Sequence, residues 1–229
     1  VATQSAVLFD VDGTLVDSNY LHVHAWRRAF AALAIEVESW RIHRAIGMDG
    51  SALVRLLSDD APDDVRRELK DLHSRYYLQT AELLSPLPGA RRLLERLAAL
   101  DLPVVLATSA PEDELAILRK TLNCDDLIAA VTSSADVDVA KPDPGIIGIA
   151  LDRIGATADQ AVFVGDAVWD AKACARAGVP SIGVLSGGVS RTELATAGAV
   201  SVFDNAEDLL LHLDQTPIAA LADRRADRA

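Results

Sequence analysis

Short apolar runs, each long enough for one buried strand, constrain this chain more than any other feature. Ser5–Ala6–Val7–Leu8–Phe9 is the first, and it ends abruptly in Asp10. Similar runs recur at Pro103–Ala107, Ile128–Thr132, Ala161–Val164, Ser181–Leu185 and Val200–Phe203. Helical patterns separate most of them. Leu93, Leu94, Leu97 and Leu100 make one apolar stripe, and Asp143–Pro144 reads as a cap and first helical residue before Ile146, Ile147, Ala150 and Ile154, with Gly155 as the stop. Continuous apolar strands alternating with amphipathic helices predict an α/β fold, a doubly wound parallel sheet covered on both faces.

One stretch breaks the rhythm. Between Asp17 and about Leu87 the periodicity is helical and no strand is evident. His22, Trp26, Phe30 and Leu33 share a face, and a longer amphipathic run covers Val65 to Leu84. The stretch is too long for a simple crossover and predicts an inserted all-helical cap subdomain over 18–87. The core is then 1–17 and 88–214, with Ser85–Pro86–Leu87–Pro88–Gly89 as the return linker. The charged, Ala-rich tail, 215–229, is expected to be a loosely attached or frayed helix.

A net charge of −12 over 229 residues argues against a broad nucleic-acid surface, which needs clustered Lys and Arg. It leaves room for a small anionic substrate, since a metal and one or two buried cations set the local potential. Cys124 and Cys174 have no metal-ligand or redox-motif spacing and read as reduced, semi-buried thiols. With no apolar run of transmembrane length, the expectation is a cytoplasmic protein, monomeric or a homodimer, with no membrane partner.

Chemistry-bearing residues gather at the carboxyl ends of the expected strands, where open parallel sheets bind ligands. In Asp10–Val11–Asp12–Gly13–Thr14 two carboxylates point the same way if the chain stays extended, which suits a nucleophile and an acid/base beside a shared metal. Taken alone the motif reads equally well as a turn with a capping aspartate. Thr108 follows the Val104–Ala107 run, where its hydroxyl can bind a phosphate oxygen. Lys141, in Ala140–Lys141–Pro142–Asp143–Pro144, precedes a helix start and can neutralise both nucleophile and phosphate. Gly165–Asp166 ends another run, so Asp166 is expected opposite Asp10, and Asp170 follows as a further carboxylate or a helix cap.

This ordered set, DVDGT, Thr108, Lys141 and GDAVWD, resembles the haloacid dehalogenase superfamily over essentially the whole chain. The cap after the first motif resembles its phosphoglycolate-phosphatase and β-phosphoglucomutase branch. The resemblance implies catalytic roles for Asp10, Asp12, Thr108 and Lys141: attack on phosphorus by Asp10, proton transfer by Asp12, and a grip on the phosphoryl group by Thr108 and Lys141. It also implies Mg²⁺ bound by Asp10, Asp166 and the backbone carbonyl of Asp12, with Asp170 in support. Dehalogenases and phosphonatase-like members lack the second aspartate, so Asp12 narrows the choice to phosphatase or sugar-phosphate mutase.

Substrate contacts are expected from Thr108, Ser109, Lys141, His22, Met48 and Asp49. His22 occupies the place of a histidine in the mutases, although packing beside Trp26 explains it equally well. Met48 and Asp49 fall in a specificity loop that also reads as a plain inter-helix turn. Ile46–Gly47–Met48–Asp49–Gly50 lacks the arginine, and Ser109–Ala110–Pro111 the lysine, that mutases use on a second phosphate. The expectation is a Mg²⁺-dependent phosphatase acting on a small phosphate monoester, with a β-phosphoglucomutase-like mutase as the alternative.

Overall fold

The computed structural model describes residues 4–136 and 141–226. Six parallel strands form one sheet, in the order Ile128–Thr132, Val104–Ala107, Ala6–Phe9, Ala161–Gly165, Ser181–Val184 and Ser201–Phe203. They are β1 (Ala6–Phe9), β4 (Val104–Ala107), β5 (Ile128–Thr132), β6 (Ala161–Gly165), β7 (Ser181–Val184) and β8 (Ser201–Phe203). All six expected runs are strands, with ends moved by a residue at most, the usual uncertainty where ladder hydrogen bonds run out. The chain leaves β1 toward β4 and β5, then returns to build β6, β7 and β8 on the other side. β1 therefore lies at the switch of direction, with the crevice for ligands at its carboxyl end.

Alternation along each strand divides the core into two layers. Val7, Phe9, Val104, Leu106, Val162 and Val164 pack against the stripe of α5 (Ala90–Ala99), against α6 (Glu112–Leu122) and against α10 (Ala206–Leu211). Ala6, Leu8, Val105, Ala107, Ala161 and Phe163 face α7 (Gly145–Ile154) and α8 (Val168–Ala177). Helix α7 starts one residue later than expected: Pro144 is the cap, and Asp143 instead accepts the Gly145 N–H at 2.9 Å. Helix α9 (Arg191–Ala197) begins with a reciprocal Ser190–Glu193 capping box.

The insertion is helical: α1 (Asn19–Ala32), α2 (Ser39–Ala45), α3 (Gly50–Leu57) and α4 (Asp63–Leu78). These helices bury a cluster of their own, including Trp26, Phe30, Ile42, Leu53 and Leu69. Two short strands that the periodicity missed stand at its base. β2 (Val16–Asp17) pairs antiparallel with β3 (Ser85–Pro86), so entry and exit run side by side. Two residues are too few to register as an alternating pattern.

Two expectations about burial are corrected. The tail is not loose where it is described: α11 (Pro217–Ala226) sinks Ile218 and Leu221 fully into the core, and residues 227–229 lie outside the described part. Its Ala and charged residues hide a two-residue anchor that composition alone does not reveal. Cys124 and Cys174 are free, and both are fully buried rather than half-buried. Among the described residues no helix is long and apolar enough to cross a membrane.

Candidate active site

The carboxyl ends of β1, β4 and β6 meet under the helical insertion and enclose a cavity of about 370 Å³. Asp10, Asp12, Thr108, Ser109 and Asp166 line it from the sheet; His22, Met48 and Asp49 line it from the helices. Lys141 and Asp170 complete the expected set from beneath. Lys141 Nζ donates to Asp10 Oδ1 at 2.6 Å and lies 2.8 Å from Asp170 Oδ1. Asp170 Oδ2 accepts the Ala167 N–H, so this carboxylate both opens α8 and pins the lysine.

Carboxylate oxygens of Asp10, Asp166 and Asp170 lie within 4.8 Å of one another. Burial, only partly offset by Lys141, pushes the Asp10 carboxyl up to about 7. Burial and the neighbouring Asp170 and Asp10 charges raise Asp166 well above the carboxylate range. Burial opposes the Lys141 charge too, yet Asp10 and Asp170 outweigh it and hold the ammonium firmly protonated. Three acidic groups thus share one facing ammonium in a poorly hydrated corner. Hard oxygen donors with uncompensated negative charge fit a small divalent cation such as Mg²⁺.

Asp12 belongs to a different microenvironment. Its Oδ1 accepts the Ser18 hydroxyl at 2.5 Å and lies 3.2 Å from His22 Nε2, which turns the side chain away from the carboxylate trio. Burial disfavours its charge, but His22 and Ser18 more than offset this and hold its carboxyl below the ordinary value. The reverse holds for His22: burial disfavours its charge, but Asp12 more than offsets this and raises it above the ordinary imidazole value. Thr108 is buried, and its Oγ1 accepts the Ala110 N–H at 3.1 Å, leaving the hydroxyl proton free to donate. In the insertion, Asp49 has a structural task of its own: Oδ1 caps α3 by accepting the N–H groups of Ser51 and Ala52. Met48 is half-buried against the helical cluster.

Several neighbours escaped the sequence reading. Asn19 Nδ2 and Thr14 Oγ1 donate to the two oxygens of Asp166 at 2.8 and 3.1 Å. Ser186 donates to the Gly13 carbonyl at 2.6 Å, and at Gly187 any Cβ would collide with Asp166. His73, Glu114 and Lys70 also line the cavity. Two carried a signal: Thr14 closes the DVDGT motif, and His73 shares the buried face of the amphipathic run with Leu69, Leu72 and Tyr77.

Known proteins resemble this chain in sequence and in fold. Residues 7–184 match the model of a family described as haloacid dehalogenase-like hydrolase. A phosphoglycolate phosphatase of Rhodospirillum rubrum is 33% identical over 210 residues, 87% of each chain. A hydrolase from Pseudomonas syringae superposes with a TM-score of 0.89 at 39% identity, over 93% of this chain and 99% of that one. A β-phosphoglucomutase from Clostridium difficile, 17% identical, shares the fold with a TM-score of 0.82 over 98% and 99% of the two chains.

Proposed function

The chain belongs to the haloacid dehalogenase-like hydrolases, and from that premise we propose that it is a Mg²⁺-dependent phosphatase that hydrolyses a small phosphate monoester through phosphorylated Asp10. The observation that carries the reading is the separation of two carboxylates two residues apart. Asp10 is held by Lys141 beside Asp166 and Asp170, while Asp12 is held by Ser18 and His22. One environment suits a nucleophile and the other a proton carrier.

Asp10 attacks phosphorus and the bond to the ester oxygen breaks. A proton shared between His22 and Asp12 moves onto Asp12, which passes it to the departing alcohol. A water then attacks the phosphoryl group, Asp12 takes its proton, and Asp10 is restored. Thr108 donates to a phosphoryl oxygen, and Lys141 offsets charge on Asp10 and the transferring group. Asp10, Asp166 and the Asp12 carbonyl would hold Mg²⁺, with Asp170 in support. Bound there, the cation supplies positive charge that lets a carboxylate approach a phosphate dianion.

The helices over the cavity act as a cap that rocks on the paired β2 and β3 strands, excluding water on closure. A space of about 370 Å³ with Trp26 on its wall fits phosphoglycolate-like acids and sugar phosphates. The mutase alternative keeps one supporting observation. Lys70, from α4, lines the cavity and donates to Ser51 Oγ at 3.1 Å, a cation that could meet a second phosphate.

Phosphate release from a panel of small esters, with Mg²⁺ and with chelator, tests the proposal. Release is expected to need Mg²⁺ and to vanish in Asp10→Asn. Residual Asp10→Asn turnover above a trace would remove Asp10 as nucleophile. Conversion of β-glucose 1-phosphate to glucose 6-phosphate with little free phosphate would establish the mutase instead.

A further inference from the structure

Asp12 stands at one end of a buried chain of four side chains that crosses from the sheet to the cap and back to the core. His22 on α1 approaches Asp12 Oδ1 through Nε2 at 3.2 Å and His73 Nε2 through Nδ1 at 3.0 Å. His73, on α4, points its Nδ1 at Glu114 Oε1, 3.8 Å away on α6. His22, His73 and Glu114 are 8%, 7% and 3% exposed. Their rings are clamped as well. His22 stacks on Tyr77 with centroids 3.9 Å apart, and His73 stacks on Trp26 at 4.0 Å.

Each contact needs one donor and one acceptor. The Asp12 carboxylate accepts from His22 Nε2, and one proton lies between His22 Nδ1 and His73 Nε2. The remaining ring nitrogen, His73 Nδ1, faces Glu114. Glu114 Oε1 is buried and has no hydrogen bond of its own, so it is the partner left at that end. A leucine would fill position 114 without the cost of burying a carboxyl group, a cost usually offset only by a specific partner.

We propose that His73 and Glu114 are positioning residues which, through His22, hold Asp12 in the geometry for proton transfer, and which do so only while the cap is seated on α6. The proposal rests on the acid/base role given to Asp12 above. Since Asp12 and α6 belong to the core and both histidines ride on the insertion, lifting the cap opens the chain at its two crossings, Asp12–His22 and His73–Glu114. Closure over substrate and alignment of the proton carrier then become one event.

The test compares esters that differ in their need for a proton. An alkyl phosphate needs protonation of its leaving alcohol, whereas p-nitrophenyl phosphate has a leaving group that departs well as the anion. Leaving-group release in the first turnover is measured with Mg²⁺ for wild type, Glu114→Leu, Glu114→Gln, His73→Leu and His73→Gln, after confirming cooperative melting of each. The leucine variants are expected to slow the alkyl ester by about 10- to 100-fold. The aryl ester should slow by less than about threefold by the same argument, with KM little changed. The glutamine variants keep an acceptor at 114, or a donor and acceptor at 73, and are expected to recover most of the rate. Equal losses on both esters, a change confined to KM, or no recovery with glutamine would overturn the proposal. A wild type inactive on every ester would overturn the phosphatase reading itself, and this inference with it.

Discussion

Glu114 is a residue whose ionisation is set by its surroundings. Burial pushes its carboxyl up to about 7 against an ordinary 4.5; His22 opposes the shift, while Asp12 and Asp113 add to it. The folded state therefore binds the Glu114 proton more tightly than the unfolded chain does. That stabilisation is complete below pH 4.5 and is lost as pH rises through 7. Glu114→Gln is outside this linkage. Its stability relative to wild type is expected to rise by about 3 kcal/mol between pH 4 and pH 8.5, read from urea unfolding. A difference that stays flat across that range would place the Glu114 carboxyl in its ordinary range. Gly187 acts at the same scale by having no side chain. A methyl group there would strike the Asp166 carboxylate, whose two oxygens accept from Asn19 and Thr14. Gly187→Ala is expected to keep its far-ultraviolet dichroism and lose Mg²⁺ affinity by about 10- to 100-fold in calorimetric titration.

At the scale of elements, α11 shows how little composition reveals about docking. Ile218 and Leu221 are fully buried beside the core that α5 and α10 share, although the helix carries Ala and charge through the rest of its length. Leu221→Ala is expected to cost about 3 kcal/mol in urea unfolding, within the range for removing a buried leucine side chain. A cost under about 0.5 kcal/mol would mean that the helix is docked only loosely. Other elements were legible because local pattern and environment agree. The six apolar runs became the six strands of the main sheet, since a strand buried on both faces leaves no polar alternation to confuse the reading. The β2–β3 pair went unseen because two residues carry no period and their partnership is non-local. The linker residues Ser85 and Pro86 pair with Asp17 and Val16 only after four helices have brought them back.

Across the whole molecule, the acidic cluster joins segments that lie far apart in the chain. Asp10 follows β1, Asp166 follows β6, and Asp170 lies in the first turn of α8. A cation that binds all three recognises only the folded sheet, so Mg²⁺ is expected to stabilise the protein globally. At 100 times its dissociation constant the gain is about 2.7 kcal/mol. Asp166→Asn should lose that Mg²⁺-dependent rise in melting temperature. In chelator it should be no less stable than wild type, because one of three crowded carboxylates has gone. A Mg²⁺ shift that survives the substitution would move the cation elsewhere.

Local chemistry already marked Asp10, Thr108 and Asp166, because a polar residue at the abrupt end of an apolar strand lies at the mouth of a parallel sheet wherever the rest of the chain runs. Periodicity likewise announced the helical insertion, since amphipathic spacing belongs to each helix alone. Contact between His22, His73 and Glu114 had no such local sign. They come from three helices, and one buried histidine or glutamate looks like any other until packing chooses its neighbours. Two carboxylates two residues apart, Asp10 and Asp12, were visible in the sequence. Which one met Lys141 and which met Ser18 and His22 depended on side-chain directions that only the closed arrangement of β1, β6 and α1 supplies.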